Sequence, residues 1–375
     1  MRSISLLHAI LFIRLCLFVN TQSFDYGKFS VIDTNEGPKN RGGHSIKFIS
    51  GSNDQLITFG GVTNDYPNNI ATYYNDTWLL TLSGSKGTWQ QLISLTGVSP
   101  SPRAYYSMIS DNFDHVYLYG GSSDSFVYSD LWMFNTELSA WVLIENENPN
   151  GPGSRTEHQM IFNNGMIYFF GGSNANGNSM NDLWVYDLTS WSWLQLQSSS
   201  NENIISSRSS FFMNSVSLDS VYGEGFLITQ GVFIDENSDK ITQRTDTFFY
   251  SISLNKYFNI TSLSENITPG VRNSNNGIVL GSYFVASLGE NPTNSPADCN
   301  APTPQNPTDT TWILDLITFN WSLLSTKGTP LPLKNVAGDS SIVNGTSCGI
   351  FHGGYTWVCP GPGNVYNNNV YSFCL

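Results

Sequence analysis

Ile167-Tyr168-Phe169-Phe170-Gly171-Gly172, then Asn181-Asp182-Leu183-Trp184, then Trp193, is the stretch from which the rest of the chain can be read. Four apolar residues in a row suit a strand covered on both faces, and a glycine pair suits a sharp turn where a Cβ would clash or φ is positive. The acid leads into a second aromatic strand, and Trp193 opens a third. Working outward, the apolar run with its glycines recurs at Leu56-Ile57-Thr58-Phe59-Gly60-Gly61, Val116-Tyr117-Leu118-Tyr119-Gly120-Gly121 and Gly349-Ile350-Phe351-His352-Gly353-Gly354. Weaker copies end at Gly231 and Gly289. The acid and aromatic recur at Asp76 with Trp78, Asp130 with Trp132, Asp246 with Phe248 and Asp309 with Trp312, and in weaker form at Asn369 with Tyr371. The second aromatic recurs at Trp89, Trp141, Tyr257 and Trp321.

Each copy restarts on a basic residue: Arg41, Arg103, Arg155, Arg208, Arg272 and, in the sixth, Lys334. Four short β-runs per period of roughly 50 to 65 residues, separated by Gly, Asn, Ser and Pro turns, predict an all-β repeat architecture. The last copy ends at Leu375 after its third strand, while Lys28-Phe29-Ser30-Val31-Ile32, followed by Gly37-Pro38 and Arg41, mirrors Ala140 to Ile144 followed by Gly151-Pro152 and Arg155. The N-terminal run is therefore expected to supply the missing fourth strand and to remove two exposed sheet edges.

Composition narrows the function. Against 29 Asp+Glu stand 16 Lys+Arg, a net charge of −13, with no basic cluster, which excludes a protein that tracks nucleic-acid phosphates. Ten Trp, eighteen Tyr and twenty-three Phe supply an ample core, so the low charged fraction does not signal disorder. Met1 and Arg2, an apolar run from Ile4 to Val19 and the small polar residues up to Ser23 read as a secretory signal peptide over residues 1–23, the mature unit being 24–375. Its removal takes Arg2, Arg14 and Cys16 and moves the net charge from −13 to −15. Cys299, Cys348, Cys359 and Cys374 then remain, an even set without zinc-type spacing, which fits two disulfides in an oxidising compartment. If the second and third strands of the last copy pair around Gly353-Gly354, Cys348 falls opposite Cys374. Cys299 is then expected to join Cys359. Sequons at Asn75, Asn259, Asn266, Asn320 and Asn344 permit glycosylation.

The recurring Gly-Gly, Trp and second Trp resemble the kelch repeat over essentially the whole mature chain. The resemblance implies a β-propeller in which each copy is a four-stranded antiparallel blade, here six of them. Adjacent blades bury each other's aromatics, so the repeated Trp residues are expected in the core, and the opening arginines are expected to pair with an acid or carbonyl.

In such a ring the loops joining strands two and three share one face with those leading into the next copy. Residues 62–75, 122–129, 173–181, 232–245, 290–308 and 355–368 read as long irregular loops on that face. They carry acids with aromatics: Asp65, Tyr66, Asp124, Phe126, Tyr128, Asp235, Glu236 and Glu290 are candidate ligand contacts, with Arg103 and Arg155 at the channel mouth. That mixture suits a cationic peptide, a sugar face or Ca²⁺. His44 and His158 occupy the register of Tyr106 and Phe211, and His352 that of Phe59, which reads as packing rather than metal binding. The chain lacks a zinc His pair, a nucleophile elbow and a phosphate-cradling loop. The expectation is a secreted binding module for a protein or glycan, non-catalytic, with no metal or cofactor and no nucleic-acid partner. The alternative implied by propeller enzymes of similar architecture is a sugar mutarotase using Glu157 beside Arg155, or Glu290; a copper oxidase fits less well.

Overall fold

The second strand of each repeat is apolar on both faces because it lies between two other sheets. In Met166–Phe170, Ile167, Tyr168, Phe169 and Phe170 are all buried, whereas the outer Ser192–Gln197 leaves Leu194 exposed. The computed structural model describes residues 27–49, 54–65, 68, 70–197, 205–218, 221–235, 240–261, 277–288, 310–328, 333, 335–343, 346–358 and 363–375. These residues form six four-stranded antiparallel units. Sheet one comprises Ser45–Phe48, Gln55–Asp65, Ile70–Ser83 and Lys86–Leu92; sheet two, Ser107–Ser110, His115–Tyr119, Leu131–Asn135 and Ala140–Glu145. Sheet three comprises Gln159–Asn163, Met166–Phe170, Leu183–Asp187 and Ser192–Gln197; sheet four, Phe212–Ser217, Glu224–Thr229, Thr247–Ser251 and Lys256–Asn259. Sheet five comprises Ile278–Leu280, Tyr283–Ser287, Thr311–Asp315 and Trp321–Leu324; sheet six, Ala337–Val343, Thr346–His352, Val370–Cys374 and, from the other end of the chain, Gly27–Thr34. The first strand of each sheet lies beside the first strand of the next, and that of sheet six lies beside that of sheet one, so the arrangement is a closed ring.

The N-terminal strand fastens the ring. It runs antiparallel to Val370–Cys374, with Phe29 opposite Phe373, as the sequence predicts. It also pairs in parallel with Thr326–Lys327 at its start and with Lys86 and Gly87 at its end, so it ties sheets five, six and one together. Cys348 faces Cys374 across the second and third strands of sheet six and is joined to it, the Cα atoms 4.4 Å apart. Cys299 and Cys359 lie outside the described residues, as do the leader and the sequons at Asn266 and Asn344.

Packing follows the same cycle. One apolar cluster sits between each pair of neighbouring sheets; that between sheets one and two holds Phe59, Tyr106, Leu118, Trp132, Phe134 and Trp141. Trp141 is 2% exposed, meets the rings of Phe59 and Phe134 with centroids 5.1 Å away, and donates from Nε1 to Thr77 Oγ1 at 3.0 Å. Truncating such a side chain costs about 3 to 5 kcal/mol. The glycine pairs permit close approach of sheets. Gly172 has φ +88°, and a Cβ there would lie 2.5 Å from the Thr156 carbonyl oxygen and 2.7 Å from His158 Cβ. Among the described residues no helix is long and apolar enough to cross a membrane.

Candidate functional site

Among the described residues, the opening arginines Arg41, Arg103, Arg155 and Arg208 are consumed by the fold; Arg272 lies outside the described residues. Arg41 donates from Nη1 to Asp76 Oδ1 at 2.6 Å and from Nη2 to Oδ2 at 2.9 Å; Arg103 does the same to Asp130 at 2.5 and 2.9 Å, and Arg155 to Asp182 at 3.0 and 2.9 Å. Nη1 also donates to the carbonyl of Gly60, Gly120 or Gly171, the first glycine of each pair. The Trp two residues after the acid donates its Nε1 to the same carboxylate at 2.7 Å in all three copies: Trp78 to Asp76, Trp132 to Asp130 and Trp184 to Asp182. Arg208 repeats the ion pair with Asp246 at 2.7 Å. Burial alone would raise the Asp76 carboxyl, but the hydrogen bonds and charge of Arg41 outweigh it and hold the group below its ordinary value. Arg155 is likewise held charged by Asp182 against the cost of its burial.

Arg103 and Arg155, expected at the channel mouth, are therefore buried, 0% and 1% exposed, with their guanidinium groups occupied. Tyr128 belongs to the same construction, because its ring lies 3.8 Å from the Arg103 guanidinium carbon. The pairing of Glu157 with Arg155 does not form: Arg155 turns to Asp182, whereas Glu157 accepts the Ser210 hydroxyl on Oε2 at 2.6 Å.

The loops do gather on one face. Val62, Ser122, Ser173 and Val232 bridge back to Gly42, Ala104, Thr156 and Ser209, so each turn after strand two sits beside the entry of strand one. Three of these loops are more regular than the sequence reading had them. Sheet one extends as a hairpin to Asp65 and Ile70, Val232–Asp235 pairs with Lys240–Gln243, and Tyr355–Val358 pairs with Gly363–Tyr366. Their β-branched and aromatic residues favour extended pairing over an irregular path. On this face Asp65 and Asp124 are exposed and Phe126 is 67% exposed. Asp124 faces the Tyr73 phenol and raises its pKa, after burial, which is the larger cause. Tyr66, Glu236 and Glu290 lie outside the described residues, and Asp235 is described only as part of its strand.

At the centre of the face a run of backbone hydrogen bonds links the starts of five of the six copies among the described residues. Gly43 N–H donates to Asn335 O, Tyr105 to Gly43, Glu157 to Tyr105 and Ser210 to Glu157. All five residues have positive φ, between 51° and 65°. They fall two positions after the opening residue, which places the start of the sixth copy at Leu333 rather than Lys334; Lys334 itself is not among the described residues. The pocket at this mouth is lined by Tyr105, Glu157, Ser210, Asn335, His44 and His158 among others, with about 70 Å³ open to the centres of water-sized spheres.

His44, His158 and His352 are buried, as packing groups should be. His44 Nε2 and His352 Nδ1 are 3.0 Å apart, and His352 Nε2 reaches Asn368 Oδ1 at 3.4 Å. That contact makes His352 Nε2 the proton carrier and His44 Nε2 the donor to His352. Burial, followed by the charge of Arg41, lowers His352 to about 3. Burial also lowers His44, helped by His352 and Arg41, and His158, helped by Arg155. His158 packs edge-on to Tyr119 and stacks on Phe169.

Comparison with known proteins agrees with this geometry. The model of the KLHDC2/KLHL20/DRC7 Kelch-repeats domain matches residues 14–225. The chain is 28% identical over 185 residues to the leucine-zipper-like transcriptional regulator 1 homolog of Drosophila melanogaster, covering 48% of this chain and 17% of that protein. It is 29% identical over 170 residues to Kelch domain-containing protein 3 of Homo sapiens, covering 43% of this chain and 41% of that protein. The dynein alpha chain of the flagellar outer arm of Chlamydomonas reinhardtii is 26% identical over 151 residues, covering 40% of this chain and 3% of that protein. The chain thus spans less than half the length of these curated relatives. With its repeated Arg–Asp–Trp clamp, Gly-Gly turns and sheets arranged in a ring, the chain belongs to the kelch-repeat family.

Proposed function

We propose that this chain is a secreted binding module that recognises a protein or glycan ligand through the loop face of the propeller, without catalysis of its own. The observation that carries the reading is the distribution of side chains: Arg103 and Arg155 are committed to the clamps with Asp130 and Asp182, while Asp65, Asp124 and Phe126 stand exposed on loops over a rigid ring. Kelch-repeat domains are typically protein-binding modules, which supports the protein half of the proposal. The disulfide supports an oxidising compartment.

The test is a glycan and extracellular-protein array probed with the oxidised, secreted protein. Binding that is lost when Asp65, Tyr66 and Phe126 are changed to Ala supports the reading. A blank array accompanied by turnover of free sugars, or by stoichiometric metal in the purified protein, replaces it with an enzyme. N-terminal sequencing of the exported chain tests the leader, with cleavage expected near Ser23.

A further inference from the structure

The hydrogen-bonded run at the channel mouth has side chains where the backbone would prefer none. A left-handed backbone is unfavourable for a non-glycine residue, and Gly43 shows that glycine fits the position. Yet the equivalent positions hold Tyr105, Glu157, Ser210 and Asn335, at φ 59°, 56°, 51° and 54°. Residues retained against that cost present chemistry at one point, the rim of a pocket.

The chemistry is that of a cation receptor. Burial, and after it the Glu157 carboxylate, raises the Tyr105 phenol above its ordinary value, and the two side chains line the same pocket. Asp124 adds a second carboxylate against Tyr73. The Tyr355 and Tyr366 rings meet with centroids 5.0 Å apart, and Asn335 donates to the Tyr355 hydroxyl at 3.0 Å. Aromatic faces beside carboxylates attract ammonium and guanidinium groups. The lysine that lines the pocket, Lys47, is offset by Asp339 at 3.6 Å. His158, 1% exposed, lines the same mouth, and neither ring nitrogen has a hydrogen-bond partner among the described residues; a neutral imidazole can accept a proton donor there.

We propose that the channel mouth formed by Tyr105, Glu157, Ser210 and Asn335 receives an arginine or lysine side chain of a protein partner. The proposal rests on the loop-face reading above and names its ligand. The test measures fluorescence polarisation of labelled five-residue peptides, Gly-Gly-X-Gly-Gly with blocked ends, where X is arginine, lysine, citrulline or glutamate. The full-length oxidised protein is used at low and moderate salt. Arginine or lysine peptides should bind at least tenfold more tightly than the citrulline peptide, a neutral near-isostere of arginine, and weaken with salt. Glu157→Gln, which leaves φ and side-chain size unchanged, should lose about tenfold, and Tyr105→Phe, which keeps the ring, should lose less than Tyr105→Ala. Thermal midpoints equal to that of the parent show that the variants fold. Equal binding of citrulline, indifference to Glu157→Gln, or no peptide binding overturns the proposal, as does a preference of the mouth for neutral oligosaccharide. An array partner whose binding survives Glu157→Gln but is lost with Phe126→Ala removes this proposal and leaves the loop-face reading intact; loss of neither removes both.

Discussion

Acidification from pH 7 to pH 5 should destabilise this propeller through three buried histidines. His44, His158 and His352 are 6%, 1% and 0% exposed, and burial lowers all three below their ordinary value of 6.5, His352 to about 3. In the unfolded chain each titrates near 6.5, so below that pH the unfolded state binds more protons and stability falls with pH. The loss begins as pH drops through 6.5 and, for His352, levels off near 3. Between pH 7 and 5 one such histidine contributes about 2 kcal/mol, and the three together about 6 kcal/mol as an upper figure, a large part of the roughly 5 to 15 kcal/mol that holds a domain together. The Asp76 contribution acts in the same direction in a lower window: its folded value is depressed, so its stabilisation is intact above about 4 and is lost as pH falls below it. Urea unfolding at pH 7.0, 6.0 and 5.0 reads the effect as a falling midpoint at constant slope. His158→Phe places at this position the residue that Phe211 already supplies in the next copy, and should remove about a third of the pH dependence. A midpoint that does not move between pH 7 and 5, or a His158→Phe variant with undiminished pH dependence, refutes the claim that these rings are held neutral.

Breaking one clamp should be costly: Asp182→Asn, which strands the Arg155 charge, is expected to lose about 3 to 5 kcal/mol in denaturant unfolding, and Arg155→Lys in the parent should also destabilise because a lysine cannot bridge both Asp182 carboxylate oxygens. Gly172→Ala should lose about 1 to 3 kcal/mol, since the added Cβ meets backbone and φ is +88°. Replacing both Cys348 and Cys374 by Ser should lower stability by about 3 kcal/mol for a sequence separation of 26 residues, read as a lower denaturant midpoint.

The frame of the molecule could be read in the chain because its causes are local and repeated. Gly-Gly, the acid before Trp and the basic residue at each restart are each demanded by one turn or one clamp, and six copies let weak signals reinforce one another. Ring closure was legible in the same way, since residues 28–41 repeat the pattern of residues 141–155. The register of Cys348 with Cys374 followed from the two-residue period of paired strands. What stayed hidden depends on contacts between copies. The repeat predicts an acid or carbonyl partner for Arg103 but does not single out Asp130, which takes that place. Nor did the chain reveal that Tyr105, Glu157 and Asn335 share one left-handed register; that register emerges only when neighbouring sheets exchange backbone hydrogen bonds around the channel. The sixth start was misplaced by one residue because the copy has no arginine, and position Leu333 is occupied by an apolar, buried side chain. Loop tips drew attention by composition, whereas the left-handed residues beside them carry no motif.

The central claim is that the loop face and its channel mouth bind a macromolecular ligand. The most direct measurement is equilibrium binding of the oxidised, full-length protein to the array hit of highest affinity, alongside Phe126→Ala and Glu157→Gln. Phe126 is 67% exposed, so its removal should leave stability within about 0.5 kcal/mol of the parent while weakening binding. Weakened binding in both variants at unchanged unfolding midpoints is the predicted result; undiminished binding in both places the ligand elsewhere on the ring and contradicts the account.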